Sequence, residues 1–283
     1  MTALNTYIKC PKRFELEHLA GEKGEPYGHR MHVGTAFDRV VRDVATLKRD
    51  TGVSVTDPKA LDSMLVDQFV GAGEIEDYGP PAPGEDYWFN AALRTLEEVS
   101  QIVTRVRPVL IDAKLSRPVT TASSTSLDVT GTLDLSYRYP QQVIGEYGSH
   151  HLRDVKMSGK APSEWSPVKA ALDFQLRTYT WLADATDTPV DTQGWIVGRA
   201  LKQKSEVLHN AADVSDAAVE LTGERLTMIA SAIEGDCETG RFLPTASIQQ
   251  HWSCSEAYCP FHKHICEYGA RQVSQVLIEG EAA

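Results

Sequence analysis

Apolar positions recur every three to four residues along some stretches of the chain and alternate along others. Phe37, Val40, Val41 and Val44 mark one side of a helix expected from Thr35 to Lys48. Leu93, Leu96, Val99, Ile102, Val103 and Val106 form a second helical stripe over residues 89–107. Before it, Gly79-Pro80-Pro81 and Pro83-Gly84 punctuate residues 71–86 as loop. The period then shortens to two. Leu127, Val129, Leu133 and residues 135–139 alternate as strand, and 151–157 follows after a glycine-containing turn. Residues 167–185 return to helical spacing through Ala171, Phe174, Leu176, Tyr179 and Leu182. Residues 192–201 read as a strand, with 205–209 as its partner, and 215–233 reads as a long helix. Residues 2–20 predict a short helical entry broken at Pro11. This order predicts an α/β core with helical additions at both ends.

Composition narrows the class. The 283 residues are 42% hydrophobic and 24% charged, which excludes a disordered chain, a collagen-like repeat and a disulfide-rich mini-domain. The apolar runs are too short to cross a bilayer, and Met1 to Cys10 lacks the pattern of a signal peptide. The expected location is therefore cytoplasmic, with no membrane contact. The net charge of −11 argues against a protein that coats nucleic acid. If the chain meets DNA at all, that contact is confined to a local groove, flanked by Lys9, Lys12, Arg13, Arg199, Lys202 and Lys204 unless these are solvated surface charges.

The sharpest chemical signal lies mid-chain. Gly131-Thr132-Leu133-Asp134 falls on one expected strand and Asp154-Val155-Lys156 on the next. Positions i and i+2 of a strand share a face, so Asp154 and Lys156 point the same way. A neighbouring strand can bring Asp134 close to Asp154. Paired carboxylates repel unless a cation sits between them, and hard oxygens suit magnesium or manganese. A lysine beside that ion can hold or activate a water for phosphodiester hydrolysis.

This ordered set resembles the PD-(D/E)XK nuclease superfamily. The likeness is to its RecB-like branch, of the CRISPR-associated, AddB and phage recombination exonuclease type. Gln175 and Tyr179, one helical turn apart, complete the pattern. The resemblance implies a restriction-endonuclease-like core and metal-dependent DNA cleavage. It implies Asp134 and Asp154 as metal ligands together with the backbone carbonyl of Val155. Lys156 and Gln175 would serve catalysis, and Tyr179, Lys12, Arg13 and Lys202 would meet DNA. One position departs from the pattern. Relatives carry Gly-Thr-x-x-His, whose histidine binds metal, whereas this chain has Gly34-Thr35-Ala36-Phe37-Asp38. Asp38 is a hard ligand that can keep the role, or it simply pairs with Arg42 one turn on. His32 is a weaker substitute.

Five cysteines without an export signal argue against a disulfide framework. Cys254, Cys259 and Cys266 cluster near the C-terminus, and Cys10 stands in Cys10-Pro11-Lys12-Arg13-Phe14. The arrangement resembles the iron–sulfur staple of the RecB-like branch and implies a 4Fe–4S cluster on these four thiolates. Zinc on Cys254, Cys259, His262 and His264 is the alternative. Cys237 is expected to be a buried apolar filler.

The whole reading is one RecB-like nuclease domain over 1–283. Segments 1–33 and 236–270 would bind the cluster, and 34–209 would form the nuclease core with a helical insertion about 57–107. The expected activity is exonucleolytic cleavage of single-stranded DNA or DNA ends, in recombination, repair or CRISPR adaptation, with a partner protein of those pathways. The rival is a non-cleaving DNA-binding or scaffold subunit.

Overall fold

A computed structural model describes residues 3–22, 28–75, 87–140 and 149–243, together with Cys259, Phe261 and Cys266. Its centre is a five-stranded sheet in the order β1 (Arg107–Thr120), β2 (Ser126–Arg138), β3 (His150–Ser158), β4 (Thr192–Arg199), β5 (Val207–Asp213). The β2–β3 and β4–β5 pairs are antiparallel and β3–β4 is parallel, so the sheet is mixed. Helices α1 (Ala3–Lys9) and α2 (Pro11–Phe14) precede α3 (His29–Thr51), α4 (Pro58–Ile75) and α5 (Tyr87–Arg105). The parallel crossover from β3 to β4 carries α6 (Pro167–Leu172) and α7 (Phe174–Asp184), and α8 (Asp216–Thr239) closes the order.

Two compact units divide the described chain. The larger comprises Tyr27–Pro118 and Asp128–Glu224. In it α3 turns Val33, Phe37, Val40, Val41 and Val44 inward, and α5 turns in Ala92, Leu96, Val99 and Val103. Both helices pack with Leu135, Tyr137, Val155 and Ile196 of the sheet. Alternate residues of the same strands, Asp134 and Asp154 among them, are thereby left for the opposite face. Gly194 lets the β4–β5 pair close, since a Cβ there would stand 1.9 Å from the Asn210 carbonyl oxygen.

The smaller unit comprises Met1–Pro26, Val119–Leu127 and Arg225–Ala283. Tyr7, Phe14 and Phe242 pack there with Ile229 and Ile233 of α8, and Tyr7 donates to Asp236 at 2.6 Å. Cys259, Phe261 and Cys266 form a separate buried group against Leu16.

Several expectations are corrected. Residues 107–120 form a strand that the apolar pattern hides, because Asp112 sits at φ 48° and interrupts the alternation. The helix expected over 167–185 is two helices. Asp173 is extended, and its carboxylate accepts from the Leu176 amide at 2.9 Å, capping a new start. The loop expected from residue 71 begins later, because α4 runs to Ile75. The strand expected over 205–209 is displaced to Val207–Asp213. Cys237 is exposed on α8, not a buried filler.

Candidate active site

The β2–β3 register pairs Leu135 with Arg153, and one step further along it Asp134 stands opposite Asp154. Oδ2 of Asp134 accepts the Val155 amide at 3.1 Å, which ties this carboxylate to the next strand. Asp154 is 2% exposed, and its Oδ1 receives Lys156 Nζ at 2.8 Å and Gln175 Nε2 at 3.4 Å. Gln175 also donates to the hydroxyl of Tyr179 at 2.9 Å. The Asp173 cap sets the first turn of α7, and so places Gln175 over β3. Gly131 allows α7 to approach β2: a Cβ would lie 3.0 Å from Leu182 and 3.1 Å from Tyr179.

Asp38 joins this group from α3. Its Oδ2 is bound by Arg42, whose other terminal nitrogen binds Asp112 on β1. Oδ1 of Asp38 is buried without a hydrogen-bond partner among the described residues. Burial, then the nearby Asp134 charge, pushes the Asp38 carboxyl up to about 7 against the opposing pull of Arg42 and Lys156. Burial also raises Asp154 well above the usual carboxylate range, with Asp134 adding to it and Lys156 opposing it. Burial works against charge on Lys156, but Asp154 and Asp134 outweigh it and raise the ammonium's pKa. Tyr179 is buried, and its phenol is pushed up to about 12 by burial and then by Asp154 and Asp134.

The structure thus brings Asp38, Asp134, Asp154, Lys156, Gln175 and Tyr179 into one electrostatic group, with the Val155 backbone beside it. Among the described residues, no three His, Cys, Asp or Glu side chains stand as a ready metal-binding group. Each carboxylate already has at least one oxygen engaged by a protein donor. His32 is directed elsewhere, stacked on Phe69 at 3.8 Å with Nε2 2.5 Å from the Phe69 carbonyl oxygen. The expected DNA contacts are mostly engaged within the protein. Lys12 pairs with Glu15, Arg13 with Glu17 and Arg199 with Glu206, while Lys202 lies over the Tyr87 ring.

Cys10, Cys259 and Cys266 are buried thiols. The Cys259 pKa is raised by burial and further by the neighbouring Cys10 and Cys266, with Arg13 opposing. Cys254, His262 and His264 lie outside the described residues. Arg42 and Asp112 were not read from the sequence as site residues. The four-residue step from Asp38 to Arg42 signals their pair, but nothing local signals Asp112.

Two acidic side chains and a lysine on adjacent strands, covered by a helix carrying glutamine, make the arrangement of a restriction-endonuclease-like core. The chain belongs to the PD-(D/E)XK nuclease superfamily, whose defining pattern matches residues 1–267. No curated protein sequence matches it. Among solved structures, a protein of Eubacterium rectale named as a candidate exonuclease is 10% identical. That match covers 86% of this chain and 81% of the other, with a TM-score of 0.48. A second, named SSO0001, is 16% identical over 93% of this chain and 94% of its own, with a TM-score of 0.34. No helix among the described residues is long and apolar enough to cross a membrane.

Proposed function

We propose that this nuclease is a metal-dependent DNA exonuclease of the RecB-like branch, acting on single strands or DNA ends in recombination, repair or CRISPR adaptation. The observation that carries this reading is Lys156 Nζ at 2.8 Å from the buried Asp154, beside Asp134 and Asp38. A hard divalent ion suits the donor set. The buried Asp38 Oδ1 lacks a partner among the described residues, and an uncompensated buried oxygen is costly unless a cation or donor meets it. Asp38, Asp134, Asp154 and the Val155 carbonyl would hold Mg2+ or Mn2+. Such an ion supplies charge to polarise a phosphate oxygen and acidify a water.

The protein's own groups account for the rest. Lys156 presents its ammonium where negative charge grows on the phosphate, and donates a hydrogen bond to the attacking water or that oxygen. Gln175 keeps its amide against Asp154 and orients the same water. The domain reading assigns cluster binding to segments 1–33 and 236–270 and the nuclease core to 34–209. Support for a 4Fe–4S cluster on Cys10, Cys254, Cys259 and Cys266 is that Cys10, Cys259 and Cys266 are buried thiols and that Cys10 and Cys266 add to the raised pKa of Cys259; zinc is its competitor.

End-labelled single- and double-stranded DNA with Mg2+ or Mn2+ tests the reading. The parent should shorten the strands from their ends. Asp154→Ala and Lys156→Ala should cut at least about a hundredfold more slowly while keeping parental circular dichroism. Cleavage by Asp154→Ala at the parental rate would overturn the assignment.

A further inference from the structure

We infer that a second, basic groove in the larger unit holds the phosphate backbone of a DNA strand several nucleotides away from the carboxylates. The groove has a volume of about 790 Å3, and its walls include Lys48, Arg49, Arg107 and Arg138 with no acidic side chain among the described lining residues. Four cations converging in a chain of net charge −11 make a local positive site, which is what an acidic protein needs to hold a polyanion. Pro108, Val109 and Pro140 add apolar wall for sugars and bases.

The four cations differ in how free they are. Lys48 donates to the carbonyl oxygens of Val103 and Thr104 and so is fixed at the end of α5. Arg49 pairs with Asp50 at 2.7 Å. Among the described residues Arg107 and Arg138 have no acidic partner, and they are the cations left for a ligand.

Alignment with the carboxylate site selects nucleic acid over a small anion. Asp134, Ser136 and Arg138 share one face of β2, so Arg138 lies roughly 13 Å from Asp134 at about 3.3 Å per residue. Arg49 follows Asp38 by about three turns of α3 on the same helix face, roughly 17 Å further along. Two independent elements therefore run from the carboxylates to the groove. At about 3.4 Å per stacked nucleotide the span is roughly four nucleotides. The inference rests on the nuclease reading for its catalytic end, but the groove is a binding site in its own right.

The test uses the full chain and fluorescein-labelled oligothymidylate, a 20-mer and a 3-mer. Binding is measured in EDTA, so it is readable whether or not the protein cleaves. Arg107→Ala/Arg138→Ala should weaken 20-mer binding about tenfold and reduce the slope of log affinity against log salt by about 1.4. Cleavage of the 3-mer with Mn2+, which is too short to reach the groove, should keep its parental rate. Arg107→Lys/Arg138→Lys keeps the charge and should restore most 20-mer binding. An unchanged 20-mer affinity and salt slope overturn the inference. So does an equal loss on the 3-mer, which would place the arginines' effect at the carboxylates. Arginine-dependent 20-mer binding by a parent that cleaves nothing supports the groove and sinks the nuclease reading instead.

Discussion

The ammonium of Lys156 lies 2.8 Å from Oδ1 of Asp154, a carboxylate 2% exposed, while the lysine side chain itself remains 39% exposed. The pair is lopsided: the carboxylate is enclosed, whereas part of the lysine side chain stays accessible. Removing the lysine strands the buried charge, whereas removing both groups does not. In EDTA, Lys156→Met should lower unfolding free energy by on the order of 2 kcal/mol, less than a fully buried pair would cost. Asp154→Asn/Lys156→Met should recover most of that loss. Urea unfolding of both variants checks it, and a double variant no more stable than Lys156→Met would contradict the asymmetry.

Asp38 holds the position for which the resemblance to RecB-like nucleases implies a histidine, with one oxygen on Arg42 and the other buried without a partner among the described residues. Asp38→Ala should weaken Mn2+ binding in calorimetry and depress cleavage. Asp38→His should restore much of both with manganese favoured over magnesium, because imidazole is the softer ligand. Asp38→Asn keeps the shape without the charge and should fall between them. If all three variants bind and cut like the parent, Asp38 serves only Arg42 and Asp112.

Gly131 is set by packing. A methyl group there would meet Leu182 and Tyr179 at 3.0–3.3 Å, so α7 must shift outward. Gly131→Ala should cost about 1–3 kcal/mol of stability. The same shift moves Gln175 away from Asp154, so cleavage should fall by more than the lost stability explains. Parental activity at a temperature where the variant stays folded would show that α7 can yield without moving Gln175.

The iron–sulfur reading has a direct readout. Anaerobically purified protein should be brown, contain iron and acid-labile sulfide, and absorb broadly in the visible range. Replacing Cys10, Cys259 or Cys266 by serine should lower iron content and solubility. Cys237→Ser should change neither, since that thiol is exposed on α8. Stoichiometric zinc without iron would move the assignment to the local Cys and His set.

Much of this architecture was legible because it is written in short-range periods. The stripe through Phe37, Val40, Val41 and Val44 locates α3, and the i, i+2 spacing of Asp154 and Lys156 places both on one face of β3. Features that depend on distant partners were not legible. Arg42 meets Asp112 across 70 residues, and Asp112 lies in the strand whose alternation its own left-handed backbone breaks. The Asp173 break was hidden because residues on both sides keep helical spacing. The basic groove has no local signature either, since Lys48, Arg107 and Arg138 come from three separate elements.

The acid sensitivity of the larger unit should come from a buried histidine pair. His151 is 4% exposed, with Nδ1 2.8 Å from the Thr192 hydroxyl and Nε2 without a partner among the described residues. Burial lowers its pKa from 6.5 to about 4; Arg153 and His150 push the same way and Asp191 opposes. Burial also lowers the pKa of His150, which lies between the Pro189 carbonyl and the Ser136 hydroxyl. Between pH 6.5 and 4, therefore, the unfolded chain takes up protons that the folded chain refuses. Stability is fully present above the unfolded value and falls as pH drops toward the folded one. For His151 the total loss is on the order of 3 kcal/mol, at about 1.4 kcal/mol per unit of pKa. His151→Gln removes the titrating group while keeping a polar side chain beside Thr192. Urea unfolding at pH 7, 6 and 5 should show a parent that loses stability stepwise and a variant whose pH dependence is shallower by up to about 1.4 kcal/mol per pH unit. Parallel pH curves for the two proteins would show that His151 does not contribute, leaving His150 of the pair to account for the acid sensitivity.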